Sequence, residues 1–146
     1  EKTWPLFPND KPQSNDIRKF EALGTRSFAP EQAIGQAIDF HLAIGAQRKQ
    51  ERLHYLKKYW CEAIAKNPRV KIHVSLRPEY SCALGTFSVE GLKPGEITDT
   101  LMSKYQIHVV PIVWENISVV RVTPHVYTTT RDLDRFIEAV GKIIAS

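Results

Sequence analysis

Val119-Val120-Arg121-Val122-Thr123-Pro124-His125-Val126-Tyr127, followed closely by Thr129-Thr130-Arg131-Asp132-Leu133, is the stretch on which the fold turns. Residues 118–122 are a β-branched run, the composition of a strand. Thr129 and Asp132 have the Ser/Thr-x-x-acid spacing of a capping box, in which a hydroxyl and a carboxylate satisfy free backbone N–H groups at a helix start. Leu133, Phe136, Ile137, Val140 and Ile144 follow at helical spacing, so a final amphipathic helix is expected. Upstream, Glu115-Asn116 reads as a turn, and residues 107–113 form a strand candidate that Pro111 confines to an edge or a bulge.

Farther back, Gly91-Leu92-Lys93-Pro94-Gly95 is a turn into a short helix at 96–105, with Ile97, Leu101 and Tyr105 on one face. Residues 85–90 give another strand. Between 70 and 77 the period is two, because Val70, Ile72, Val74 and Leu76 alternate with Lys71, His73, Ser75 and Arg77. The order from residue 70 is therefore strand, strand, helix, strand, strand, helix. That order most readily gives an α+β fold, a small mainly antiparallel sheet with helices on one face.

Two helical patterns precede the sheet. Residues 46–66 place Leu53, Leu56, Trp60, Ala63 and Ile64 on an apolar face and Arg48, Lys49, Glu51, Lys57, Lys58 and Glu62 on a polar one, until Asn67-Pro68 stops the helix. Before it, Pro30 suits a first helical turn, and Ile34, Ala37, Ile38 and His41 keep the i, i+3, i+4 spacing up to Gly45. Since only Gly45 separates the two patterns, one long bent helix bridging two domains is an expectation. The first 29 residues, with Trp4-Pro5-Leu6-Phe7-Pro8, read as ordered loop.

A chain of 146 residues, 42% hydrophobic and 25% charged, has the length and mix of one soluble domain. No apolar run reaches the roughly 18 residues of a membrane span, and no signal peptide is visible, so no membrane partner and a cytoplasmic location are expected. The charge of +4 is spread along the chain, and the aromatics do not interleave with the basic residues on a strand face. No nucleic-acid partner is expected. Cys61 and Cys82 have no metal-ligand spacing and are read as reduced thiols, with no metal site.

The chain contains no glycine-rich phosphate loop, GxSxG or HExxH, and its histidines at 41, 54, 73, 108 and 125 lie on separate elements. Two places depart from a plain structural pattern. Gly24-Thr25 stands just ahead of a helix, where a glycine permits close backbone approach and a hydroxyl can meet a phosphate; a simple turn is the other reading. Arg121 sits inside an apolar strand, where a guanidinium needs a partner to offset desolvation. A carboxylate bound side-on is one such partner, and solvent or an internal acid such as Glu115 is the alternative.

Taken together, these motifs resemble a known family. Ile17-Arg18-Lys19-Phe20-Glu21-Ala22-Leu23-Gly24-Thr25, with Ala33-Ile34-Gly35-Gln36-Ala37-Ile38-Asp39-Phe40-His41 and Ile44-Gly45, is similar to the segment after the cofactor lysine in aminotransferase class V enzymes of the isopenicillin N epimerase-like branch. Val120 to Tyr127, with Asp132-Leu133-Asp134-Arg135-Phe136, resembles that family's carboxyl-terminal arginine motif and last helix. The resemblance implies pyridoxal 5'-phosphate as cofactor, a homodimer, and the carboxyl-terminal part of a fold-type I enzyme. By it, residues 1–45 are the tail of a large cofactor domain, and 46–146 are the bridging helix and small domain. Thr25, with Gly24 beside it, would contact the cofactor phosphate, and Arg121 would hold the α-carboxylate of an amino-acid substrate.

The departures define what this chain would lack. None of its eleven lysines has the context of the family's Schiff-base lysine, and no residue within the chain is expected to act as a catalytic group, so the isolated chain is expected to be inactive. Residues 109–118 contain no cysteine, whereas the family's cysteine desulfurases carry a nucleophilic one before the arginine motif. Thr128 stands where many relatives have asparagine. Transamination, epimerisation and a lyase reaction all remain open as the activity of the complete enzyme. A non-catalytic two-layer α/β binding or regulatory module is the alternative from another class.

Overall fold

The structure is a computed structural model that describes residues 15–20, 24–25 and 27–146. The chain divides into two compact units, Glu1–Ala43 and Ile44–Ser146. In the first, a short 3-10 turn at Ile17–Phe20 precedes helix α1, Ala29–Ile44, and Pro30 lies in its first turn as expected. No residue of α1 is buried, and Ile34, Ile38, Phe40 and Leu42 all face solvent.

The second helix, α2, spans Ala46–Ile64. The expected single bent helix is not formed. Gly45 adopts φ 87 and ψ 132, a backbone conformation that a side chain resists, and its carbonyl accepts from the Lys49 N–H at 3.0 Å to begin a new helix. The buried face of α2 also differs from the expected one: Leu56, Lys57, Trp60, Cys61 and Ile64 point inward. Lys57, expected on the polar face, is only 1% exposed. Its long aliphatic stem can line the core, and its ammonium donates to the Ser75 carbonyl at 3.4 Å and to the Ser81 hydroxyl.

Four strands follow: β1 (Val70–Ile72), β2 (Gly85–Val89), β3 (Val110–Trp114) and β4 (Ile117–Val122). They form one antiparallel sheet in the order β1-β2-β4-β3. Pro111 therefore lies on an edge strand, as its missing N–H requires. β1 is shorter than the period-two pattern implied, because beyond His73 the chain leaves the ladder and the Ser75 carbonyl turns to Lys57. β3 starts later than expected. Residues before it complete the end of helix α3 (Pro94–Tyr105), where Gln106 adopts φ 56 and the Ile107 N–H returns to the Leu101 carbonyl at 3.0 Å. At the expected turn, Trp114 pairs with Ile117 and Glu115 takes φ 50.

The last helix, α4 (Thr130–Ala145), has the expected capping box. Thr129 Oγ1 accepts from the Asp132 N–H at 3.2 Å, and Asp132 Oδ2 accepts from the Thr129 N–H at 2.9 Å. Strand partners directly opposite one another share a face, so Val70, Val89, Ile72, Phe87, Val120, Gly85 and Val122 project to one side. That side meets Leu56, Trp60, Ile97, Leu101, Leu133, Phe136 and Val140 from the helices. Trp60, Phe87 and Phe136 pack edge-on with ring centroids 5.7 to 6.0 Å apart, the arrangement that aromatic quadrupoles favour. Gly85 makes room for this cluster, since a Cβ there would overlap the Trp60 ring.

Candidate functional site

Because the odd-numbered positions of β4 point away from the helices, Arg121 lies on the opposite face of the sheet, flanked by Thr86 of β2 and Val110 of β3. The side chain is half-buried, and its Nε is shut off from solvent with no hydrogen-bond partner among the described residues. The alternative partner, Glu115, is exposed in the β3–β4 turn, and no ion pair joins it to Arg121 among the described residues. Leaving such a donor unmet costs roughly 1–3 kcal/mol. A carboxylate approaching side-on would accept from Nε and from one terminal nitrogen together.

The segment after Arg121 is held from behind. The Thr128 hydroxyl accepts from the His125 N–H at 2.9 Å, while the Thr128 N–H returns to the His125 carbonyl at 2.9 Å. Arg52 of α2 donates to the Thr128 carbonyl at 2.9 Å. Thr128 thus closes the turn that follows β4, a structural use that its residue type alone did not reveal. The rings of His125 and Tyr127 lie 4.6 Å apart, and both residues are exposed.

Gly24 adopts φ 77, the left-handed conformation that glycine tolerates, and nothing lies within 4 Å of where its Cβ would be. Thr25 is exposed and precedes α1, which begins at Ala29. An exposed glycine backbone beside an exposed hydroxyl is a donor set that suits a phosphate. Gly24 and Thr25 belong to the first compact unit and Arg121 to the second. Sequence reasoning missed a group of ionisable residues around α2. Burial pushes the Lys57 ammonium below its ordinary range and the Cys61 thiol up to about 12. Cys61 and Cys82 are both free, as expected; Cys61 is buried and Cys82 exposed. The described residues hold no group of three or more His, Cys, Asp or Glu side chains that could bind a metal, and no helix among them is long and apolar enough to cross a membrane.

No family model matches this sequence. The isopenicillin N epimerase of Amycolatopsis lactamdurans is 29% identical over 133 residues, covering 87% of this chain and 32% of that protein. In three dimensions, the apo cysteine desulfurase of Thermococcus onnurineus superposes with a TM-score of 0.75 at 20% identity, covering 88% of this chain and 34% of that one. A NifS-like protein from Rickettsia africae gives 0.73 at 17% identity, covering 97% of this chain and 40% of that one. The sequence is thus similar along most of its length to part of an isopenicillin N epimerase, and its fold to part of the cysteine desulfurase and NifS-like structures. It spans about a third of the length of the epimerase. Its antiparallel sheet and helices share the fold of the matching portions of those two structures.

Proposed function

We propose that this chain is the part of a pyridoxal-phosphate-dependent enzyme that recognises the α-carboxylate of an amino-acid substrate through Arg121. The buried Nε of Arg121, unpartnered among the described residues, carries this reading, because a bound carboxylate supplies the acceptor that the fold itself does not. Gly24 and Thr25 would contact the cofactor phosphate through a backbone N–H and a hydroxyl. When bound, that cofactor supplies the electron sink for breaking a bond at the substrate Cα. Arg121 orients the substrate, the kind of positioning that can lower a barrier by several kcal/mol. The turn closed by Thr128 and Arg52 steadies the strand end from which Arg121 projects.

The lysine that attaches the cofactor would come from sequence outside these residues, and residues 1–45 would be the tail of the large domain that carries it. The exposed apolar side chains of α1 support that division, since such a helix ordinarily packs on a neighbour. The complete enzyme would be a homodimeric aminotransferase, epimerase or lyase, and the isolated chain inactive. Desulfuration through a cysteine before the arginine motif does not fit, because the β3–β4 hairpin carries none and Cys82 lies in the loop between β1 and β2.

The test uses the protein containing the cofactor lysine. Arg121→Ala should weaken amino-acid binding roughly ten- to a hundredfold, the worth of hydrogen bonds to a charged group, with cofactor retention nearly unchanged. Unchanged affinity for the amino acid would remove Arg121 from the site. Thr25→Ala should instead raise the cofactor dissociation constant.

A further inference from the structure

The face of the sheet that bears Arg121 continues past it in a regular way. Residues 121, 119 and 117 of β4 project to the same side, and their partners on β3 are Val110, Ile112 and Trp114. The guanidinium therefore stands at one end of a ladder whose other members, Val110, Val119, Ile112, Ile117 and Trp114, are all apolar. At about 3.3 Å per residue the ladder runs roughly 13 Å from Arg121 to the hairpin tip. None of these five belongs to the core between sheet and helices. Exposure grows along it: Val119 is buried, Ile112 half-buried, Ile117 40% exposed and Trp114 65% exposed.

We propose that this ladder is the side-chain subsite of the substrate, and that it selects an amino acid with a long apolar, preferably aromatic, side chain, with Trp114 as the specificity-determining residue at its far end. The inference rests on the reading of Arg121 as the carboxylate anchor and adds the class of molecule attached to that carboxylate. Two observations favour a small amphiphilic ligand over a protein surface here. A protein face laid on the strip would cover the guanidinium and would have to present an acid at that one point, whereas a single carboxylate with an apolar tail satisfies both ends together. The exposure gradient also matches such a ligand, with the charged head at the half-buried Arg121 and the tail running over the buried Val119 outward to Trp114. A substrate with a short polar side chain would reach no farther than the Val119 rung and leave Ile117 and Trp114 in water.

The experiment follows the Arg121 Nε–H and Trp114 indole resonances of the 146-residue chain during titration with 4-phenylbutyrate, butyrate and 4-phenylbutanamide. Both acids should shift the Arg121 Nε–H, and 4-phenylbutyrate should bind about tenfold more tightly than butyrate while also shifting the Trp114 indole. Trp114→Ala, an exposed position whose truncation leaves the core untouched, should remove that margin and leave butyrate binding as it was. Equal affinity for the two acids, or a margin that survives Trp114→Ala, would overturn the subsite and leave the carboxylate anchor standing. Failure of either acid to move the Arg121 resonance would overturn the anchor itself. If the amide binds as well as the acid, or if the chain self-associates in a Trp114-dependent way without binding any probe, the strip is a general apolar contact surface and the proposal fails.

Discussion

Helices α1 and α4 are each 16 residues long, and α1 is the more apolar of the two, yet α1 buries none of its residues and α4 buries Leu133, Phe136, Ala139, Val140 and Ile144. The contrast separates composition from patterning. In α4 the apolar side chains gather on one face and a sheet stands opposite them, so the hydrophobic effect has a surface to remove from water. In α1, Ile34, Ile38 and Leu42 recur at four-residue steps while Phe40 points elsewhere, so apolar groups emerge on more than one side. Burial depends on a partner, not on how greasy a helix is.

The sharpest way to break this contrast is to truncate one large side chain in each helix. Phe136→Ala removes a ring that packs against both Trp60 and Phe87, and should cost about 3–5 kcal/mol in urea unfolding of this chain. Ile38→Ala, by contrast, should change stability by less than about 0.5 kcal/mol. Comparable losses would mean that α1 is buried in solution.

A charged residue inside an apolar face tests the same point from the other side. Lys57→Met should raise stability by about 1–2 kcal/mol at pH 7, since the buried ammonium meets neutral oxygens and, among the described residues, no carboxylate. The sign with pH follows from its lowered pKa. In the window below the ordinary value of 10.5 the folded state holds the Lys57 proton less tightly than the unfolded state. The lysine's own contribution is therefore greatest above 10.5 and is lost as pH falls through the folded value. The advantage of methionine should accordingly shrink between pH 7 and pH 10, and a constant difference in unfolding free energy would show that Lys57 is solvated. A smaller loss than that at Phe136 belongs to the helix end: Thr129→Ala should cost about 1 kcal/mol by removing one half of the capping box of α4.

Much of the fold was legible because its signals are local. The Thr129–Asp132 box, the turn at Glu115-Asn116 and the edge position of Pro111 each follow from the hydrogen bonds available to a few neighbouring residues. What escaped depends on distant partners. Lys57 and Leu53 both lie at the border of the apolar face of α2, and only the loop carrying Ser75 and Ser81 decides that Lys57 turns inward. The lengths of β1 and β3 were missed for a similar reason, since the Ser75 carbonyl and the Ile107 N–H leave the ladder to meet α2 and α3. At the candidate site, the oddity of a guanidinium in a β-branched strand was visible from residue type. Its unmet Nε and the apolar ladder beside it were not, because both require strand register.

One consequence of the buried Cys61 concerns measurement. A thiol held at about 12 inside the core is not a nucleophile at neutral pH, whereas Cys82 is open to reagents from the start. A slow alkylating label should therefore mark the molecule twice at very different rates, first at the surface loop and later only when the helices lift from the sheet. The second rate is a clock for the opening of the core, built into the protein without any substitution.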